Sequence, residues 1–335
     1  MKKRNLILLA FVCPLFLLSS CGDASTSVEI TSTSVETEVE VDVELEEELN
    51  LLYEINDSAI TIKGVMDTDA TSILIPDTIQ DCRVTKIGAD AFAGCTDVTS
   101  IIIPDSVTSI GYEAFEQCTS LVSINLPSSL TSLGKYAFYK CSSIKSIYIP
   151  DGVTEINEYT FKYCTSLVSV SIPSSISQID DAAFEFCTSL EAITIPSGIE
   201  IINDFTFLGC TSLATVSLPE SLTEIGKSAF NSCSALESII LPQSLTTIGT
   251  LAFQSSGLTS IVIPEAVTSI DSDAFGSCSN LTAIYYCGDL TAWTAASYDA
   301  YDGDDETIIV YTYSEAEPTE VGTFWHYVDD VITVW

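Results

Sequence analysis

From about Lys86 to Cys287 the chain repeats a single order of apolar and polar positions. One unit, Leu121 to Ser143, reads LVSINLPSSLTSLGKYAFYKCSS, with apolar side chains at Leu121, Ile124, Leu126, Leu130, Leu133, Phe138 and Cys141. That spacing sustains neither the helical period nor the two-residue period of one long strand. Ile124 and Leu126 alternate as in a short strand, and Pro127 ends it because proline has no N–H to give a ladder. After Leu133 and Gly134, Phe138 and Cys141 stand three apart, which predicts a short helical turn.

The unit recurs with little drift. Phenylalanine stands at 92, 115, 138, 161, 184, 207, 230, 253 and 275, and proline at 104, 127, 150, 173, 196, 219, 242 and 264. Each step is 23 residues except the last, which is 22. The position of Gly134 is filled in turn by Gly88, Gly111, Gly134, Asn157, Asp180, Asn203, Gly226, Gly249 and Asp271. Those residue types tolerate positive φ or cap a helix start, which predicts a bend there. One such unit cannot stand alone. Burying six or seven side chains gains about 1.5–3 kcal/mol each. Ordering the backbone costs about 1–2 kcal/mol for every residue. Stacking lets each apolar column run on into the next coil, so the expected fold is an α/β repeat solenoid with a parallel sheet, a short helical turn per coil and about nine repeats of 22–23 residues. At about 4.8 Å per strand the stack is on the order of 40 Å long.

The pattern L-x-S-I-x-I-P-x-S-V-T-x-I-G-x-x-A-F-x-x-C-T-S resembles the BspA-type leucine-rich repeat of bacterial surface proteins. The tail, with Tyr311, Tyr313 and Pro318 before Phe324-Trp325-His326-Tyr327, resembles the C-terminal ending of such chains, although Asp329-Asp330 replaces the usual Asp-Gly turn. The resemblance implies a surface protein used in adhesion or recognition, some of whose relatives bind extracellular-matrix proteins.

The ends follow different rules. Met1-Lys2-Lys3-Arg4 precedes an apolar run from Leu6 to Leu18 and then Ser19-Ser20-Cys21. A run this short reads as a secretory leader rather than a lasting membrane span, which needs roughly 20 residues. Leu18-Ser19-Ser20-Cys21 resembles a lipobox, which implies lipidation at Cys21 and a membrane anchor. Residues 1–20 are thus assigned to a lipoprotein signal peptide. Residues 21–50, rich in Ser, Thr, Val and Glu, are assigned to an acidic disordered tether. Residues 51–86 are expected to form an N-terminal β cap, with strands around Ile60–Ile62 and Ile73–Ile75. Residues 87–287 make the solenoid, and residues 288–335 a C-terminal cap with a terminal β-hairpin.

Charge narrows the partners. The chain carries 47 acidic and 11 basic residues, a formal charge of −36, and loss of Lys2, Lys3 and Arg4 with the leader makes it −39. Such a field repels nucleic acid. The expected protein is exported, lipid-anchored to a bacterial membrane, facing outward and monomeric, with no cofactor. Its partner is expected to be an extracellular protein or glycan; the alternative is a structural scaffold of the cell's own envelope.

Catalytic chemistry finds little support. His326 is the single histidine, and it is expected as a packed or surface residue rather than a general base. The chain is therefore read as a non-enzyme. Cysteines at 95, 118, 141, 164, 187, 210, 233 and 278 follow the repeat, with Ser256 in the gap. Disulfides between coils are geometrically conceivable, but buried free thiols used as packing fit better, since serine is tolerated in the series. Cys82 and Cys287 are left unassigned. No metal site is assigned. Asp299, Asp302, Asp304 and Asp305 lie in an oxygen-rich stretch that offers calcium ligands without EF-hand spacing, with a solvated loop as the other reading.

The candidate ligand-binding residues are those pointing outward between the buried pair of each strand: Ile102, Asn125, Tyr148, Ser171, Thr194, Ser217, Ile240 and Val262. Beside them runs a column of small residues, Ser100, Ser123, Ser146, Ser169, Ala192, Thr215, Ser238 and Ser260. The competing reading is that these are simply residues with high strand propensity. A second aromatic set, Tyr136, Tyr139, Tyr159, Tyr163, Phe186 and Phe205, is placed on the predicted helical turns.

Overall fold

In the computed structural model, residues 51–66, 70–288, 308–315, 322–328 and 331–334 are described. The assigned leader, Cys21, the tether and the acidic stretch with Asp299, Asp302, Asp304 and Asp305 all lie outside them. The repeats wind into a solenoid in which each coil but one contributes two short strands. The first row runs through Ser72–Leu74, Ser100–Ile102, Ser123–Asn125, Ser146–Tyr148, Ser169–Ser171, Ala192–Thr194 and Thr215–Ser217, resuming at Ser260–Ile263 and Ala283–Tyr286. The second runs through Cys82–Ile87, Ser109–Ile110, Ser132–Leu133, Glu155–Ile156, Gln178–Ile179, Ile201–Ile202, Glu224–Ile225, Thr247–Ile248 and Ser269–Ile270. Pairing within the rows is parallel and joins equivalent residues of successive coils, Ser146 with Ser169 and Glu155 with Gln178 for example.

Every apolar position of the unit read above is buried: Leu121, Ile124, Leu126, Leu130, Leu133, Phe138 and Cys141. The nine phenylalanines form one continuous stack. Neighbouring rings lie 5.2–5.7 Å apart with planes within 12° of parallel. The repeat register thus becomes a shared interior.

The helical turn is a correction: among the described residues there is no helix. The segment around Phe138 divides its N–H groups between its own coil and the next. Tyr136, Phe138 and Lys140 donate to the carbonyls of Glu158, Thr160 and Lys162 at 3.2, 2.9 and 2.8 Å. Ala137, Tyr139 and Cys141 donate instead to Gly134, Tyr136 and Phe138. A helix keeps its N–H groups to itself, four residues back; here half of them bind across the stack. To aim them outward the chain twice enters left-handed backbone, at Tyr136 (φ 57°) and Lys140 (φ 60°). The same pair of positions is left-handed in every coil from Asp90 to Ser277.

The Gly134 column also has a different cause from the one expected. None of its members has positive φ; the left-handed residue comes two positions later. Gly134 is small because a Cβ there would meet the carbonyl carbon and oxygen of Gly111 at 2.4 Å. Where asparagine replaces glycine, its amide bonds the neighbouring coil: Asn157 Nδ2 donates to the Leu133 carbonyl at 2.7 Å and Asn203 Nδ2 to that of Ile179 at 2.6 Å.

The two ends of the stack differ. Leu51–Asn56 and Ala59–Val65 form an antiparallel hairpin, closed by Asp57 and Ser58, both at positive φ as a tight hairpin turn requires. Ala59–Val65 then pairs in parallel with Cys82–Ile87 and so opens the second row. At the other end Ile309–Tyr313 and Phe324–Val328 continue the first row in parallel, and Val331–Val334 folds back antiparallel on Phe324–Val328. Trp325 is fully buried there, its indole N–H donating to the Tyr286 carbonyl at 3.0 Å.

Candidate binding face

Alternation along the three-residue strands turns the central side chain inward, fully buried in most and half-buried at Val170 and Val216, and turns its neighbours outward. In Ser146–Tyr148, Ile147 is enclosed while Ser146 and Tyr148 face solvent. Seven of the eight candidate residues are exposed: Ile102, Asn125, Tyr148, Ser171, Thr194, Ser217 and Ile240. Ile240 is 88% exposed and Ile102 and Tyr148 are each 58% exposed, unusual values for large apolar or aromatic side chains. Val262 departs from the set. It is half-buried because its register partner in the next strand is Tyr285, whose bulk lies alongside. Leu74, 58% exposed, extends the same column by one coil toward the N-terminus. The alternation that marked the other positions is present there too, in Ile73-Leu74-Ile75.

Pairing along this face is interrupted. Ser146–Tyr148 pairs with Ser169–Ser171, and Ala192–Thr194 with Thr215–Ser217, but no pairing joins Ser169–Ser171 to Ala192–Thr194. An open concavity of about 530 Å³ sits at that interruption, lined by Tyr148, Ser169, Ser171, Thr194 and their neighbours. Residues 238–240 form no strand at all.

The aromatic set lies on the opposite kind of surface, along the turns. Tyr136 stacks on Tyr159 at 4.6 Å and Tyr163 on Phe186 at 5.0 Å, while Tyr139 meets Tyr136 and Tyr163 edge to face. Lys162 lies 5.0 Å over the Tyr159 ring and pairs with Glu185 at 2.7 Å; Lys135 pairs with Glu158 at 2.9 Å. These rings are half-buried against one another. They join coils, and only Tyr112 at the end of the series is largely exposed.

The eight repeat cysteines are buried free thiols. Seven of them donate to the phenylalanine carbonyl of the preceding coil, as Cys164 does to Phe138 at 3.1 Å. At the break in the series Ser256 instead meets Cys278 at 3.4 Å. Burial pushes the thiol pKa up, to about 11 at Cys95 and about 12 at Cys210, and well above its ordinary value at Cys141, Cys187 and Cys233. Such thiols are poor nucleophiles and poor metal ligands. Among the described residues no three His, Cys, Asp or Glu side chains converge where a metal would sit. His326 is half-buried in the strand Phe324–Val328, opposite Thr333.

A family model for the BspA type leucine rich repeat region matches residues 85–200 and 177–301, in six copies. Among solved structures, the leucine rich repeat protein TpLRR of T. pallidum is 30% identical, with a TM-score of 0.54 over 58% of this chain and 90% of that one. A leucine-rich repeat protein from Bacteroides ovatus is 26% identical, with a TM-score of 0.59 over 82% of this chain and 85% of its own. No curated protein matches this chain. The repeat, its stacked interior and these likenesses agree, and the chain belongs to the BspA-type leucine-rich repeat proteins.

Proposed function

We propose that this protein is an exported, lipid-anchored recognition module that holds an extracellular protein or glycan on its first strand row. The observation that carries this reading is the outward column itself. Ile102 and Tyr148 are held in solvent on the parallel strand row and Ile240 on the unpaired stretch that continues it, among small hydroxyl side chains. Exposed large side chains set on a stiff frame are the usual anchors of recognition surfaces. The leader and Cys21 supply the address, and the acidic segment to residue 50 supplies reach. Leucine-rich-repeat solenoids of this kind serve as binding scaffolds rather than as catalysts, in keeping with the elevated thiol pKa values and the single histidine.

The test is a screen of the full chain against matrix proteins and glycans, repeated with Ile102, Tyr148 and Ile240 each changed to serine. Selective binding that weakens in the variants supports the proposal. Binding that ignores all three changes removes the strand row as the site. Crosslinking in intact cells that captures only the cell's own envelope components would favour a scaffold instead.

A further inference from the structure

The sixteen outward positions of the strand face, from Ser100 and Ile102 to Ser260 and Val262, include no charged residue, in a chain that carries 58. The second row is different: Lys86, Glu155 and Glu224 stand at its corresponding outward positions. At the centre of the uncharged face Tyr148 stands over the open concavity, 58% exposed, with Ser146, Ser169, Ser171 and Thr194 around it. At about 530 Å³ the concavity falls within the range of small-ligand sites, roughly 300–1,000 Å³.

We infer that this face binds an uncharged glycan, with the Tyr148 ring as the platform for one sugar and the surrounding hydroxyls as its hydrogen-bonding partners. The inference rests on the strand-face reading proposed above and names its ligand class. A pyranose presents an apolar C–H face and a rim of hydroxyls. The Tyr148 ring meets the first requirement. Serine and threonine meet the second in either sense, because a hydroxyl both donates and accepts. Charge argues against the other classes. The −36 of the whole chain repels uronate and sulfated glycans before they arrive. A protein partner brings a polar, charged rim to its interface, and the outward columns hold no counter-charge for it. The concavity runs from Tyr148 to the break in pairing between Ser169–Ser171 and Ala192–Thr194, one strand away.

The experiment uses the full chain against neutral oligosaccharides of glucose, mannose, galactose and N-acetylglucosamine, alongside uronate and sulfated oligosaccharides, at low and high salt. Expected is binding to at least one neutral series with an affinity indifferent to salt. Tyr148→Ala should weaken it roughly tenfold, about 1.4 kcal/mol, while Tyr148→Phe keeps most of it and neither variant shifts the melting temperature. Binding confined to the charged series, or to no glycan, overturns the inference. If a protein ligand binds instead and Tyr148→Ala abolishes it, the sugar is wrong and the strand-face reading stands. If a neutral glycan binds but ignores both Tyr148→Ala and Ser171→Arg, both fail.

Discussion

The turn edge and the strand face belong to the same coils but are fastened differently. Along the turns, three N–H groups of each coil reach the next without interruption, from Asp90 bonding Tyr112 to Ser255 bonding Gly276, and the phenylalanine stack and thiol bonds run beneath them. Along the first strand row the pairing lapses between Ser123–Asn125 and Ser146–Tyr148, between Ser169–Ser171 and Ala192–Thr194, and again at residues 238–240. Cohesion is therefore concentrated on the edge that sequence repetition keeps most uniform. The face that varies, with Ile, Asn, Tyr, Ser and Thr in one column, is the one that stability constrains least.

This contrast can be broken at several points, and the largest effect should come from alkali. Cys95 and Cys210 have pKa values raised to about 11 and 12 by burial, and Cys141, Cys164, Cys187 and Cys233 are raised as well, from an ordinary value near 9. In that window the unfolded chain releases protons that the folded chain retains. Stability is thus constant below pH 9 and falls as pH rises toward 12, by about 1.4 kcal/mol per pH unit for each titrating thiol. Denaturant midpoints measured from pH 7 to 10.5 should be flat and then drop steeply. A midpoint unchanged at pH 10.5 would mean the thiols are not enclosed as described.

Next in size is Phe161→Ala. It removes a fully buried ring from between Phe138 and Phe184 and should cost about 3–5 kcal/mol in equilibrium unfolding. A loss below about 1 kcal/mol would show that the stack is not the source of cohesion. Gly134→Ala places a methyl group against the Gly111 backbone and should cost about 1–3 kcal/mol, and a loss below about 0.5 kcal/mol would show that the neighbouring coil does not need that space. On the strand face, by contrast, Ser171→Arg and Tyr148→Ala should each change stability by less than about 0.5 kcal/mol. A larger loss would erase the distinction between the two surfaces.

Much of this was legible in the residues. The Phe and Pro registers give the stacked interior, and period-two alternation around Ile124 and Ile147 gives the outward column down to Ile240. The helical turn is absent because a three-residue spacing such as Phe138 to Cys141 fits consecutive tight turns as well as it fits a helix. Left-handed backbone normally announces itself through glycine or asparagine, but here Tyr136, Lys140, Tyr159 and Phe186 occupy it, stabilised by bonds to the next coil that no local pattern encodes. For the same reason the glycine column was assigned to dihedral freedom when its cause is the close approach of a neighbouring backbone. Val262 is covered by Tyr285, 23 residues on in the strand that Cys287 rather than proline follows, and Leu74 lies before the first phenylalanine. A column read only from the proline-marked units misses both.

The bonds between coils carry one more implication. Since Tyr136, Phe138 and Lys140 offer the coil ahead the same three donors that Glu113, Phe115 and Gln117 offer to theirs, any coil can dock on any other. Gain or loss of a whole 23-residue segment by unequal recombination would keep these backbone bonds at every junction, while shifting Tyr148 along the stack relative to the hairpin at residues 51–65. Lineages carrying such chains can thus adjust the length of the stack by copy number alone, without redesigning the interior.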